Sequence, residues 1–257
     1  MSPRAATRDP VALRSPLAVK AFVWYASRYL ARNFHAVRLA GGWPLPVDGP
    51  VIVVSNHPSW WDPMVLAVLA TRAFPGRRGF APMSATELQR YAVLARIGLF
   101  PIVPDSAAGA RQFLRAGCRI LAEPGSYLVV TAQGHFEDVR ARPVRLRHGV
   151  AHLAEKVPEA ALLVVALEYV FWNERYPEIL VRFGPVLQRR DGEDLHRMLE
   201  QALADEMDRL ARDARARDPG RFETVIDGSA GLGGVYDLWR RAKALARGRR
   251  FDPRHEP

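Results

Sequence analysis

Apolar and polar positions change in blocks along the chain. Residues 1–16 are polar and proline-containing and read as a loose, flexible tail. In residues 17–39 the apolar positions recur at helical spacing. On a wheel of about 100° per residue, Val19, Phe22, Val23, Ala26, Leu30 and Val37 share one side, and Lys20, Arg28, Arg32 and Arg38 lie opposite. This predicts an amphipathic helix, ended by the Gly41-Gly42-Trp43-Pro44 turn within a segment 17–44. Short apolar runs and helical patterns then take turns. Strands are expected at 51–55, 79–83, 100–103, 127–132, 161–172 and 179–186, and helices at 64–70, 86–96, 108–121, 149–156 and 193–215. Asp62-Pro63 reads as the cap and first-turn proline of the first of these helices. The alternation predicts an α/β fold, a single domain over 45–225 with a mixed, mostly parallel sheet flanked by helices. Beyond it, residues 226–257 read as a flexible link, Asp227-Gly-Ser-Ala-Gly-Leu-Gly-Gly234, and a basic helix and tail. Because no expected strand precedes it, the glycine run is a weak phosphate-loop signal.

Composition narrows the classes. With 49% apolar and 25% charged residues in 257, a sizeable core is available, and disorder, collagen and coiled coil are excluded for the chain as a whole. The single cysteine, Cys118, excludes an internal disulfide and a cysteine-rich zinc site. The longest fully apolar run, 160–167, is eight residues. A spanning helix needs about 20, so the chain is expected not to cross a bilayer. The charge balance, 37 − 27 = +10, is uneven. From Arg240 to Pro257 seven cations face Asp252 and Glu256, a net +5.

The standard site patterns are absent: no Gly-x-Ser-x-Gly, no His-Glu-x-x-His, no lysine in a phosphate loop. What stands out is Ser55-Asn56-His57-Pro58-Ser59-Trp60-Trp61-Asp62, between an expected strand and an expected helix. In α/β sheets, ligands gather at the C-terminal ends of strands. In such a turn Asp62 can fold back on His57, fix its tautomer and leave the second ring nitrogen to take a proton from an alcohol. An ordinary loop histidine beside an aspartate that only caps the helix fits the same eight residues. Trp60 and Trp61 suit either an acyl groove or packing under the loop. His135, Glu137 and Asp138 are too close in sequence to converge on one ion, so no metal is expected.

Asn56-His57-x4-Asp62 resembles the first motif of the glycerolipid acyltransferases, the lysophospholipid (1-acylglycerol-3-phosphate) acyltransferase family. Ile97-Gly98-Leu99-Phe100-Pro101-Ile102 is similar to the family's second motif. Thr131-Ala132-Gln133-Gly134-His135-Phe136 falls where the family has Glu-Gly-Thr-Arg, followed by Arg147-His148-Gly149 and an apolar helix. The resemblance covers roughly 45–190. It implies transfer of a fatty acyl group from a thioester, acyl-CoA or acyl carrier protein, to a hydroxyl of a lysophospholipid or lipid alcohol. His57 is then the general base and Asp62 its orienting partner, with no cofactor. Asn56, Gln133, Gly134, His135, Arg140 and Arg147 are the expected substrate-binding residues.

Departures from the family pattern lie on the acceptor side. Pro104-Asp105 stands where an arginine is usual, Gln133 where a glutamate is, and Phe136 where a second arginine is. Arg140, Arg142, Arg145 and Arg147 offer replacement cations, or they are a solvated loop. The acceptor is thus either a phosphate held by these arginines or a less charged lipid.

Aromatic residues Phe22, Trp24, Tyr25, Tyr29 and Phe34 beside arginines suit the headgroup boundary of a bilayer, or packing on the domain. With the basic tail they imply a peripheral protein on the cytoplasmic face of an anionic membrane. A non-catalytic, basic lipid-binding protein is the alternative. The charge clusters in a tail rather than along a recognition helix, which argues against nucleic acid.

Overall fold

Eight strands form one mixed sheet in the computed structural model of the chain, which describes residues 9–189, 192 and 194–230. In chain order the helices are α1 (Pro10–Leu13), α2 (Pro16–Asn33), α3 (Asp62–Ala73), α4 (Ala85–Arg90), α5 (Ala107–Leu121), α6 (Gly149–Lys156) and α7 (Leu195–Ala216). The strands are β1 (Ala36–Ala40), β2 (Val51–Ser55), β3 (Arg78–Ser84), β4 (Leu99–Ile102), β5 (Ser126–Thr131), β6 (Ala161–Val170), β7 (Glu178–Leu187) and β8 (Phe222–Asp227). Their spatial order is β4-β3-β5-β2-β6-β7-β1-β8. The first five are mutually parallel; β7 runs against β6, β1 runs with β7, and β8 runs against β1.

The core has two layers, one per sheet face, because successive strand residues point to opposite sides. Ile52, Val54, Leu162, Val164 and Leu128 pack with α5, α6 and α7. Val51, Val53, Leu163, Val165 and Leu167 pack with Leu30 of α2 and Val65 and Leu69 of α3. Strands covered on both faces read as continuous apolar runs, which is why 51–55 and 161–167 are legible in sequence.

Several boundaries differ from the sequence reading. The expected helix 17–39 stops at Asn33, and residues 36–40 are a strand inside the sheet. Arg38, on the polar side of the helical wheel, is buried and its Nε donates to Glu178 Oε2 at 2.8 Å. A short apolar run carries no period that separates a buried strand from a helix, and the sheet therefore begins before residue 45. Helix 86–96 is divided into α4 and a 3₁₀ turn, Ala92–Ile97. Strand β8 went unread because only Phe222 of its six residues is buried. The glycine run at 228 thus does follow a strand; its residues 231–234, and the basic segment to 257, lie outside the described residues. Part of the segment read as a loose tail is tied down: Ser15 N–H donates to Arg96 O at 2.8 Å, and Asp9 pairs with Arg119 at 3.0 Å. Cys118 sits partly buried in α5.

Candidate active site

Strands β5, β2 and β6 end side by side, and the loops that follow them build one site. Register alone brings Ser55 level with Thr131 and Val165. One residue past the β2 ladder, Asn56 takes over the strand's role. Its Nδ2 donates to Leu167 O and its Oδ1 accepts from Leu167 N, both at 2.8 Å. The side chain is buried, and its two bonds to the Leu167 backbone fix the geometry of the loop.

The chain then turns at Pro58, and Asp62 comes back under His57. His57 Nδ1 lies 2.7 Å from Asp62 Oδ2. With the proton on Nδ1 and donated to that oxygen, Nε2 is the ring's basic atom. The imidazole is 18% exposed and the carboxylate 0%, so the pair presents one edge to solvent and hides its charge behind it. Asp62 does not cap α3 with its side chain. Its Oδ2 also accepts from Ser59 N–H at 3.1 Å, and its Oδ1 accepts from the Tyr169 hydroxyl at 2.6 Å. A buried carboxylate with three donors is satisfied as an anion. Burial, with the Asp62 carboxylate alongside, pushes the Tyr169 hydroxyl far above its ordinary range, so it stays a donor.

Tyr169 was not identified from sequence. The available signal was a polar aromatic residue closing the apolar run of β6 at the strand end where ligands bind. Its neighbour Glu168 projects to the opposite face, where burial raises its carboxyl above the usual range against the pull of Arg215, Arg140 and Arg142.

The loop after β5 clasps the histidine loop from the other side. Gln133, also buried, accepts from His57 N–H through Oε1 at 2.7 Å and donates through Nε2 to Glu137. Glu137 N–H donates to His57 O at 3.0 Å. Both loops are thereby held as one unit, with Gln133 bonded to each. Phe136 packs on the imidazole, with ring centroids 4.5 Å apart. Gly134 adopts φ +76°, and a Cβ there would meet Arg147 Nε at 2.1 Å; Arg147 lies across this turn because glycine leaves room.

The expected catalytic and substrate-binding residues divide accordingly. His57, Asp62, Asn56, Gln133 and Gly134 come together. Arg147 lies against Gly134 and donates from Nη1 to Asp105 at 2.6 Å. Arg140 is 85% exposed and grips Asp138 through Nε at 2.8 Å and Nη2 at 2.6 Å. Arg142 and Arg145 turn to Asp208 and Glu200 of α7. His135 is exposed. Among the described residues no three His, Cys, Asp or Glu side chains are grouped to hold a metal ion.

Trp61 packs into the fold, edge-on to Phe34 at 4.8 Å and against Tyr29 at 5.4 Å. Trp60 stays 62% exposed, as does Trp24 on α2. A chain of ring contacts, Tyr25 to Tyr29 to Trp61 to Trp60, therefore runs from the outer face of α2 to the histidine loop.

A family model described as Acyltransferase matches residues 36–169, just over half of the chain, from β1 through Tyr169. No curated protein matches. Among solved structures, that of the 1-acyl-sn-glycerophosphate (LPA) acyltransferase PlsC from Thermotoga maritima aligns with a TM-score of 0.55 at 14% identity. The alignment covers 75% of this chain and 79% of that one, and the likeness is one of fold.

Proposed function

The chain belongs to the acyltransferase family, and from that premise we propose that it moves a fatty acyl group from a thioester to the hydroxyl of a lysophospholipid or related lipid, with His57 as general base. The observation that carries this reading is the 2.7 Å contact between His57 Nδ1 and the buried Asp62 carboxylate at the open end of β2. The acceptor hydroxyl gives its proton to His57 Nε2 as its oxygen attacks the thioester carbonyl. The imidazolium formed is stabilised by Asp62. The tetrahedral intermediate then collapses, the carbon–sulfur bond breaks, and the leaving thiolate takes the proton back from Nε2. No acyl-enzyme is needed. The donor is acyl-CoA or acyl carrier protein.

Measuring free thiol release with a panel of lysolipids and lipid alcohols tests the reading. His57→Ala is expected to lower the rate by about 10²–10⁴-fold with the fold retained. Retention of more than about a tenth of the rate sinks the assignment.

We also propose that the protein works as a peripheral protein at the cytoplasmic face of a membrane. Among the described residues no helix is long and apolar enough to span a bilayer. In support of surface binding, α2 exposes Leu17, Trp24 and Tyr25, and Arg28 lies over the Trp24 ring at 4.7 Å. Flotation with anionic vesicles is expected and should weaken with salt, since surface charge is screened over about 8 Å at 0.15 M. Undiminished flotation with neutral vesicles at high salt would remove the electrostatic part.

A further inference from the structure

The surroundings of His57 carry information about what its substrate looks like on either side of the hydroxyl. An apolar ring, Phe136, stands against the imidazole at 4.5 Å and is still 57% exposed. An acceptor reaching Nε2 through the exposed edge therefore meets a phenyl face beside the base.

The charges around that ring do not favour an anion. Two cations serve the turn that carries Phe136, Arg140 and Arg147, against three carboxylates, Asp105, Glu137 and Asp138; the local sum is 2 − 3 = −1. Asp138 occupies the Nε/Nη2 edge of Arg140, and that contact holds the Asp138 carboxyl far below its usual range. Asp105, in the left-handed backbone region at φ 54°, delivers its carboxylate to Arg147. Arg142 and Arg145, the other two cations of the loop, are directed at α7. Exposed ion pairs are individually weak, so pairing alone would not keep a phosphate out. The sum weighs against it: a phosphate dianion approaching either arginine comes up beside a carboxylate already bonded to that arginine and meets its repulsion. An uncharged acceptor meets no such repulsion and covers an exposed ring.

We propose that the acceptor is an uncharged lipid alcohol, with no phosphate monoester next to the hydroxyl, and that Phe136 is the residue that sets this preference. The proposal rests on His57 being the base. A competition assay of the full chain decides it, with 1-oleoylglycerol and 1-oleoyl-lysophosphatidic acid at equal concentration in mixed micelles, and palmitoyl-CoA and palmitoyl-acyl carrier protein as parallel donors. The neutral alcohol is expected to be preferred by about ten-fold or more in kcat/KM. Phe136→Arg is expected to move that ratio about ten-fold toward the phosphate, while Phe136→Leu keeps it. Arg147→Ala should leave the ratio in place. Preference of the wild type for lysophosphatidic acid, lost in Arg147→Ala, overturns the proposal, and so does turnover of neither acceptor. Slow thioester hydrolysis that still needs His57 would then leave the base intact; acyl transfer indifferent to His57→Ala would fail the base instead.

Discussion

Two carboxylates near the site make contacts of almost equal length with a cationic or cation-forming partner. Asp62 meets His57 at 2.7 Å and Asp105 meets Arg147 at 2.6 Å. Distance is where the likeness ends. Asp62 is wholly buried and takes two further bonds, from Ser59 N–H and Tyr169. Asp105 is 75% exposed, and its arginine is 47% exposed. In water a pair like the second contributes about 0–1 kcal/mol, because solvent screens it and the side chains lose freedom to make it. Inside the fold, removing one partner leaves the other desolvated and unmatched, which costs several times more. Burial and saturation with donors, more than contact length, separate a contact that can hold a reactive histidine from one that only decorates a rim.

Four measurements break or sharpen this contrast. Asp62→Asn has the largest expected effect. The amide offers a donor where His57 Nδ1 needs an acceptor, which favours the wrong tautomer, and acyl transfer should fall by about 10²–10⁴-fold. Next comes Tyr169→Phe, which keeps the ring and deletes one of the three bonds to Asp62. A lost bond to a charged group is worth about 1.5–3 kcal/mol, read as a lower Tm, and kcat should drop with KM unchanged because only the orientation of the pair is disturbed. An unaltered kcat would mean that Ser59 and His57 hold the carboxylate without help.

Glu168, partly buried at the same strand end, is intermediate. Folding raises its carboxyl, so between the ordinary carboxylate range and the raised value the native state binds more protons than the unfolded one. Stability therefore falls as pH rises through that window. Glu168→Gln should stabilise the protein near neutral pH, by less than about 1 kcal/mol given partial solvent screening, and this gain should vanish below about pH 4. Chemical denaturation at both pH values checks the sign. The smallest effect belongs to Asp105→Ala, expected within about 0.5 kcal/mol of wild type. A larger loss would show that the exposed pair behaves like the buried one.

Legibility in the sequence followed burial in the same way. Strands β2 and β6, apolar on both faces, are legible at nearly their true limits, and the Asn-His-x4-Asp turn stands out because it follows directly on such a strand. Strand β1 was misread because Arg38 lies inside it, neutralised by Glu178, a partner 140 residues away that no local pattern announces. Strand β8 alternates too weakly to register. In the site, His57 and Asp62 were found together because five residues separate them and the turn is local. Tyr169 escaped for the opposite reason: it is 107 residues from Asp62 and reaches it only through sheet register. The arginines illustrate a third limit. Their clustering in sequence was visible, but their partners on α7, at Asp105 and at Asp138 decide which of them stand at the site.

The rung that Asn56 makes with Leu167 turns a single backbone amide into a gauge. In a strand, an N–H is shielded for as long as the neighbouring strand stays in place. The Leu167 N–H is instead shielded by a side chain belonging to the loop that bears His57. Its exchange with solvent deuterium therefore requires that loop to lift, while the amides of β2 below it require the sheet to open. The difference in protection between Leu167 and Val53 measures, in one experiment and without any substrate, how much less it takes to unseat the histidine loop than to melt the strand on which it stands.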